Sequence, residues 1–167
     1  MTQVPPTQPF GMHTTERAQL PERRHMPSAL VLKTMNTVHR TLMTATGGRI
    51  GWTAGKMPVL ELTTTGRKSG EQRSTMLTTP WQDGEAMAIV ASAGGNDAHP
   101  AWYLNLVADP SVRVRTEDGE RSMTARTVTG DERSRLWIEI SEKYTNYAGY
   151  QKRTDREIPI VLLEPTS

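Results

Sequence analysis

The chain of 167 residues has no cysteine, a single phenylalanine and four histidines without regular spacing. The absence of cysteine excludes disulfides, a thiol nucleophile and zinc–thiolate sites. Because the histidines do not recur at the spacings of metal ligands, we predict no metal centre. The sequence also lacks an apolar run of about 18 residues and a charged-then-apolar amino terminus, which predicts a cytoplasmic protein without a transmembrane helix.

Charge is distributed unevenly along the chain, although the formal net charge is only +2. Residues 1–56 contain seven Lys and Arg against two Glu, whereas the remainder contains thirteen basic and sixteen acidic side chains. A basic amino-terminal segment favours an anionic surface such as a membrane or a nucleic acid. Since these basic residues are not interleaved with aromatic residues, we predict no nucleic-acid partner.

The chain divides into a tail and one domain. Residues 1–27 contain five prolines and few apolar residues, which predicts a flexible tail. Residues 28–167 form a single predicted domain that opens with a helix at 28–46, where Val31, Met35, Val38 and Leu42 share one face. That face either docks on the rest of the domain or makes a peripheral membrane contact.

The remainder of the domain is predicted to be mainly β. Two Asp-Gly pairs separate strand-like runs, which is a strong hairpin signal. Thr129 and Glu132 predict a capping box that opens a helix ending near Lys143, and a second helix is expected at 100–108. Hairpin connections and few βαβ units favour an antiparallel barrel. The predicted strands are 57–65, 72–80, 85–91, 111–117, 120–128 and 158–163.

Two segments combine glycine with residues suited to ligand binding. Residues 66–73 form a glycine-bounded turn with three cations, which fits either an anion-binding concavity or an ordinary solvated hairpin. Residues 91–95 are all small, which suits either close approach of a flat ligand or a flexible connection. Next along the chain, Asn105 is a candidate ligand donor, whereas Trp102 is as readily a packing residue.

Three tyrosines, Tyr144, Tyr147 and Tyr150, follow the predicted helix at intervals of three residues. On a continued helix they would lie along one side, as the wall of a pocket or as half-buried surface residues. No Ser–His–Asp arrangement and no carboxylate pair stands out in the sequence. If the protein is an enzyme, we therefore expect a bound cofactor to carry the difficult chemistry.

Taken in order, these segments resemble the deazaflavin (F420)-dependent nitroreductase family over roughly residues 50–165. The resemblance implies a mainly β fold with helices (β+α), a six-stranded antiparallel split β-barrel with an amino-terminal helix and two further helices. The matching residues are Thr65-Gly66-Arg67-Lys68-Ser69-Gly70-x-x-Arg73, Ala91-Ser92-x-Gly94-Gly95, Pro100-x-Trp102-Tyr103-x-Asn105-Leu106, Tyr147-x-x-Tyr150-Gln151-x-Arg153-Thr154 and Ile158-Pro159.

The resemblance also implies an F420H2-dependent reductase that transfers a hydride to a small electron-poor acceptor such as a quinone, an α,β-unsaturated carbonyl or a nitroaromatic. Arg67, Lys68 and Arg73 would hold the phosphate and anionic tail of coenzyme F420. Tyr147 would orient the substrate and is a candidate proton donor, in a substrate pocket with Tyr144 and Tyr150. The residues implied around the cofactor are Arg67, Lys68, Ser69, Arg73, Ser74, Thr75, Met76, Leu77, Thr78, Val90, Ala91, Ser92, Ala93, Ala101, Trp102, Tyr103, Leu104 and Asn105.

Two positions depart from the family pattern. Met76 stands where relatives usually have proline, and Ala93 stands where some have lysine. Substrate range therefore cannot be transferred from the resemblance. Two other functions remain open at this point, an FMN-dependent split-barrel oxidoreductase and a non-catalytic protein that binds a cofactor or lipid.

Overall fold

The computed structural model describes residues 52–54 and 56–166. The predicted tail at 1–27 and the predicted helix at 28–46 lie outside the described residues. Within the described part, no helix is long and apolar enough to cross a membrane. The same residues contain no cluster of three His, Asp or Glu side chains that could hold a metal ion.

Eight strands make one antiparallel sheet among the described residues. All six predicted strands are present, and the antiparallel, mainly β fold class is confirmed. Two short strands, β1 and β4, escaped prediction because two or three residues are too few to show a period. The strands are β1 Thr53–Ala54, β2 Met57–Thr65, β3 Gln72–Thr78, β4 Trp81–Asp83, β5 Ala86–Val90, β6 Ser111–Thr116, β7 Gly119–Thr127 and β8 Ile160–Pro165.

The sheet runs in the order β1-β2-β6-β7-β8-β5-β4, and β3 pairs with β2. This order brings strands that are distant in sequence side by side, since β8 lies between β7 and β5. The buried Thr79 hydroxyl, just after β3, donates to the carbonyl of Ala88 in β5 at 3.0 Å. This bond links the end of β3 to β5 across the curled sheet and so contributes to closing the split barrel.

Apolar side chains from one face of the sheet fill the barrel interior. Along β6, Val112 and Val114 are buried while Arg113 and Arg115 are exposed, so the sequence alternation reproduces the two faces. Each fully buried aliphatic side chain contributes about 1.5–3 kcal/mol to folding. The interior core consists of Leu60, Leu62, Met87, Ile89, Leu106, Val112, Val114, Met123, Ala125, Val161 and Leu163.

Strands β5 and β8 are buried on both faces, which is why their sequences read as continuous apolar runs. Their second face packs against two helices, α2 at Gly130–Lys143 and α3 at Asn146–Gln151. A further helix, α1 at Ala101–Ala108, buries Leu106 in the interior core. The outer core between sheet and helices consists of Ala88, Val90, Val128, Leu136, Ile140, Tyr147, Ile158, Ile160 and Leu162.

Two helix predictions need correction. Helix α2 begins after Thr129, but Thr129 makes no side-chain capping bond. Glu132 instead accepts two bonds from Arg126, at 2.7 and 3.1 Å, because a charge-assisted pair is stronger than a neutral cap. The tyrosines do not share one helix either: Tyr144 ends α2 with a non-helical backbone (φ −133°, ψ 85°). The low helix propensities of Tyr144 and Thr145 favour this break.

Candidate functional site

A cavity of about 510 Å³ lies between the β2–β3 hairpin and the first turns of α1. Its lining includes nine residues that the sequence places around a cofactor, Gly66 from the same predicted anion-binding segment, and Thr64, which the sequence does not suggest. The lining residues are Thr64, Gly66, Arg67, Lys68, Ser69, Arg73, Ser74, Thr75, Ala101, Trp102 and Asn105.

The basic hairpin, residues 66–73, forms one wall of this cavity. Its turn is closed by backbone bonds, with the Gly66 amide donating to the Glu71 carbonyl at 2.8 Å and the Gly70 amide donating to the Gly66 carbonyl at 2.7 Å. Arg73 pairs with Glu71 at 2.5 Å. Among the described residues, the exposed side chains of Arg67 and Lys68 form no ion pair, so their charges face the cavity without a carboxylate partner.

Asn105 connects the basic hairpin to α1. Its buried side-chain amide donates to the Thr64 hydroxyl at 3.2 Å, and its carbonyl oxygen accepts from the Arg67 backbone amide at 3.2 Å. The sequence predicts a ligand contact for this residue, and that role stays a prediction. In the structure both the oxygen and the nitrogen of the Asn105 side chain bond protein groups. These two bonds fix the position of the basic hairpin relative to α1.

The β5–α1 connection, residues 91–100, leads from the end of β5 to the start of α1. Ala93, Gly94 and Gly95 all have positive φ, at 47°, 68° and 85°. A non-glycine residue in this conformation is uncommon, so Ala93 carries backbone strain at a position the sequence assigns to cofactor binding. Gly95 packs so tightly that an added Cβ would lie 2.7 Å from the Tyr150 carbonyl oxygen.

Nine of the implied cofactor residues do not line this cavity. Those in β3 continue along the strand beyond it, and Thr78 lies about 10 Å from Thr75 at ordinary strand rise. On α1, the Tyr103 ring contacts His99 at a centroid distance of 4.9 Å. The residues outside the lining are Met76, Leu77, Thr78, Val90, Ala91, Ser92, Ala93, Tyr103 and Leu104.

The three tyrosines belong to the outer core rather than to the cavity lining. Tyr147 is buried, and its hydroxyl hydrogen-bonds the Thr78 hydroxyl at 3.0 Å. Burial raises the pKa of the Tyr147 hydroxyl, opposed by the bond to Thr78, so the phenol is protonated at neutral pH. The ring of Tyr150 meets that of Tyr147 edge-on at 6.0 Å, and Tyr144 packs against the same cluster.

Sequence reasoning also missed Arg156, whose guanidinium contacts the β5–α1 connection. It lies between Asp155 and Glu157 in a short charged stretch, which reads as solvated surface. Its partners are 60 to 65 residues away in the chain, so no local pattern joins them. The sequence marks Thr64 as a cavity-lining residue only through its place in a run of three threonines, 63–65.

The split-barrel fold is shared with a solved F420-H2 dependent reductase. The chain belongs to the F420H(2)-dependent quinone reductase family, whose family model matches residues 35–165. The resemblance to F420-dependent reductases and the prediction of F420 as cofactor are therefore confirmed. The chain is an oxidoreductase of this family.

Individual relatives agree with this assignment. An F420H(2)-dependent quinone reductase of Mycobacterium tuberculosis, Rv1261c, is 41% identical over 130 residues, which is 75% of this chain and 87% of the relative. A solved F420-H2 dependent reductase, FDR-A, is 42% identical with a TM-score of 0.58, covering 64% of this chain and 94% of its own. A solved domain-swapped dimer is 38% identical with a TM-score of 0.60, covering 77% and 94%.

Proposed function

We propose that this protein reduces a quinone with F420H2 and that the 510 Å³ cavity holds the anionic part of the cofactor. The observation that carries this placement is the pair of cations at the cavity, Arg67 and Lys68, which have no carboxylate partner within the described part of the chain. Bound there, reduced F420 would supply a hydride to an electron-poor acceptor.

The charges around the other cavities support this choice. A cavity of about 260 Å³ is lined by Glu85, Glu117 and Asp118, and its Arg121 pairs with Glu85 at 3.3 Å. A cavity of about 390 Å³ contains Arg113, which pairs with Glu120 at 3.3 Å. An anion in the first cavity would meet lining carboxylates, and an anion at Arg113 would compete with Glu120. Among the described residues, Arg67 and Lys68 of the 510 Å³ cavity form no ion pair.

The residues of the cavity suit a phosphate and a carboxylate tail. Arg67 offers a planar fork for two anion oxygens, and Lys68 offers a point charge on a flexible stem. The Ser69, Ser74 and Thr75 hydroxyls add neutral donors. Trp102 supplies an apolar ring beside these polar groups. The other residues that the resemblance implies around the cofactor, at 76–78 in β3 and at 90–93, continue from Arg67 and Lys68 towards the tyrosines.

In this proposal the three tyrosines line the substrate side, with Tyr147 orienting the acceptor. The Tyr147 and Thr78 hydroxyls hydrogen-bond each other at 3.0 Å, so the Tyr147 hydroxyl is held in place on the strand that continues from the cavity. Since its pKa is raised, Tyr147 keeps its proton and remains a donor to an acceptor oxygen. Quinones, enones and nitroaromatics all present such an oxygen. Their rates of reduction by F420H2, measured with a panel of acceptors, rank them as substrates.

The test is binding of F420 to the full chain, followed by deazaflavin fluorescence, with FMN titrated in parallel. We expect the double variant R67Q/K68Q to bind F420 about tenfold more weakly, because two exposed charge contacts together amount to about 1.4 kcal/mol. The loss should shrink at high salt. R113Q is the matched control, since it removes an exposed arginine from another cavity.

Oxidation of F420H2 is then assayed with menadione, cyclohexenone and a nitroaromatic, with NADPH as alternative donor. Turnover with menadione supports the quinone reductase. A protein that binds FMN in preference to F420 would support the FMN alternative, and F420 binding without turnover of any acceptor would support a carrier. Unchanged F420 affinity in R67Q/K68Q would refute the proposed cavity.

A further inference from the structure

Arg156 spans the two ends of the β5–α1 connection. Its Nη2 donates to the carbonyls of Ala91 and Ser92, at 3.0 and 2.9 Å, directly after β5. Its Nε donates to the carbonyl of Asn96 at 2.7 Å, near the start of α1. One planar guanidinium therefore ties together three carbonyls that the chain separates by up to five residues.

The backbone of Arg156 is itself held. Gln151, at the end of α3, donates from Nε2 to the Arg156 carbonyl at 2.8 Å and accepts from the Ile158 amide at 3.0 Å. The Arg156 amide donates to the Thr154 hydroxyl oxygen at 3.3 Å. Because both backbone groups are bonded, the side chain starts from a defined position and loses less entropy on reaching the connection.

His99 adds a contact on the α1 side. Its Nδ1 lies 3.3 Å from Nη1 of Arg156. An arginine only donates, so Nδ1 is an acceptor and the proton of the neutral ring is on Nε2. Burial, and secondarily the Arg156 charge, lower the pKa of His99, which keeps the ring neutral at pH 7. The same ring contacts Tyr103 of α1.

Neighbouring residues reinforce the same junction. The Thr154 hydroxyl donates to Asp97 Oδ1 at 2.8 Å, and Arg153 donates to the Gly94 carbonyl at 3.3 Å. Residues 150–156 and the β5–α1 connection therefore form one bonded unit. Helix α1 begins at Ala101, two residues after His99. Its first two residues, Ala101 and Trp102, line the 510 Å³ cavity.

We propose that Arg156 is a positioning residue that sets the cofactor cavity by holding the β5–α1 connection, and thereby the first turn of α1, in place. The inference rests on the proposed placement of F420 in the 510 Å³ cavity. Arg156 itself does not line that cavity. It acts through α1, whose Trp102 lines the cavity and whose Asn105 holds the Arg67 amide.

Lysine cannot replace arginine in this role. A single ammonium cannot reach three carbonyls that lie in two directions, whereas the guanidinium presents five donors in one plane. Charge alone is therefore insufficient, and R156K and R156Q are expected to behave alike. This separates positioning from an electrostatic effect on an anionic ligand, for which lysine would suffice.

The experiment measures F420 affinity and melting temperature for the full chain carrying R156Q or R156K. The matched control is R126Q, because Arg126 also makes four side-chain bonds, to Glu132 and Glu164, but on α2 and β8. We expect all three variants to melt earlier than the wild type. If about a tenth of the R156Q or R156K molecules have the connection in its wild-type geometry, the affinity for F420 falls about tenfold, because only that fraction is competent to bind. R126Q is expected to bind F420 with wild-type affinity.

Hydrogen exchange of the unliganded protein gives a readout without cofactor. R156Q should accelerate exchange of the Tyr103 and Leu104 amides, which bond the Pro100 carbonyl at the start of α1. If R156Q does not fold, T154V loosens the same junction more gently, and a rise in F420 dissociation constant is again expected.

The outcomes separate the two proposals. Normal F420 affinity in R156Q, together with weakened affinity in R67Q/K68Q, would overturn the positioning role alone. Full rescue by R156K would also overturn it in favour of a charge effect. Normal affinity in both R156Q and R67Q/K68Q would refute the proposed cavity itself.

Discussion

The basic hairpin and the β5–α1 connection border the same helix but are built differently. Residues 67–73 of the hairpin are all exposed, and Arg67 and Lys68 have their charges available. The connection carries little charge of its own, but its backbone carbonyls at Ala91, Ser92, Gly94 and Asn96 are all bonded by arginines.

In the proposed placement of F420, this difference separates two tasks that the cofactor would impose. A charged tail is bound by long-range attraction, which tolerates movement of the cations. A ring that must face a substrate requires a defined surface, which needs fixed backbone. We therefore expect changes in the hairpin to affect affinity and changes in the connection to affect stability and geometry together.

The largest effect is expected from Gly95→Ala in the connection. The new Cβ would meet the Tyr150 carbonyl oxygen at 2.7 Å and the Arg153 Cβ at 2.9 Å, and φ is +85°. Overpacking and backbone strain together should lower the free energy of unfolding by about 2–4 kcal/mol. Urea denaturation measures this loss.

The neighbouring Gly94→Ala is the control for that change. Gly94 has φ +68° but no atom within 4 Å of an added Cβ, so it tests strain without collision. We expect a loss of about 1 kcal/mol. Equal losses of unfolding free energy in both variants would mean that the close packing of Gly95 against residues 150–153 does not contribute to stability.

An intermediate effect is expected from Asn105→Ala, which cuts the link between hairpin and helix. The Arg67 amide loses its acceptor and the Thr64 hydroxyl loses a donor. The Thr64 hydroxyl keeps its bond to the Arg73 carbonyl, whereas the Arg67 amide loses its side-chain acceptor. The change should cost about 1–3 kcal/mol of unfolding free energy, with weaker F420 binding measured by fluorescence.

Asn96→Ala provides the comparison within the connection. Asn96 also accepts from a backbone amide, that of Ala98 at 2.8 Å, but it is exposed. We expect a loss below about 0.5 kcal/mol and unchanged F420 binding, because water replaces the lost partner. If Asn96→Ala weakened F420 binding as strongly as Asn105→Ala, the effect of Asn105→Ala could not be assigned to the link between the basic hairpin and α1.

Tyr147→Phe should cost less stability than Gly95→Ala or Asn105→Ala. It removes the hydroxyl contacts with Thr78 at 3.0 Å and with the Met57 sulfur at 3.9 Å, at about 1 kcal/mol. Turnover should fall by about tenfold or more if the hydroxyl orients or protonates the acceptor. Because burial raises its pKa, the wild-type profile should show no Tyr147 ionisation up to about pH 9.

Thr127→Val is the control, since it removes the threonine hydroxyl that lies 3.5 Å from another tyrosine hydroxyl, that of Tyr103, at a residue outside the implied cofactor and substrate sites. It should leave turnover with F420H2 near the wild-type value. Equal turnover in wild type and Tyr147→Phe would remove Tyr147 from the proposed mechanism while leaving the cofactor cavity untouched.

Much of the fold was accessible from local pattern. The alternation of Val112 and Val114 with Arg113 and Arg115 predicts a half-buried strand, and the structure has β6 there with its valines inside. The Thr129–Glu132 pattern located the start of α2 but not the partner of Glu132, since Arg126 comes from the adjacent strand β7.

The sequence by itself determined six of the eight described strands, the turns between them and the concentration of cations in residues 66–73, because periodicity, glycine and charge act over a few residues. Only the tertiary structure decided that Arg156 meets Ala91, Ser92 and Asn96, and that the hydroxyls of Thr78 and Tyr147 bond each other. The physical reason is sheet order. With β8 paired to both β7 and β5, the segment before β8 is carried to the end of β5, and no local pattern records that encounter.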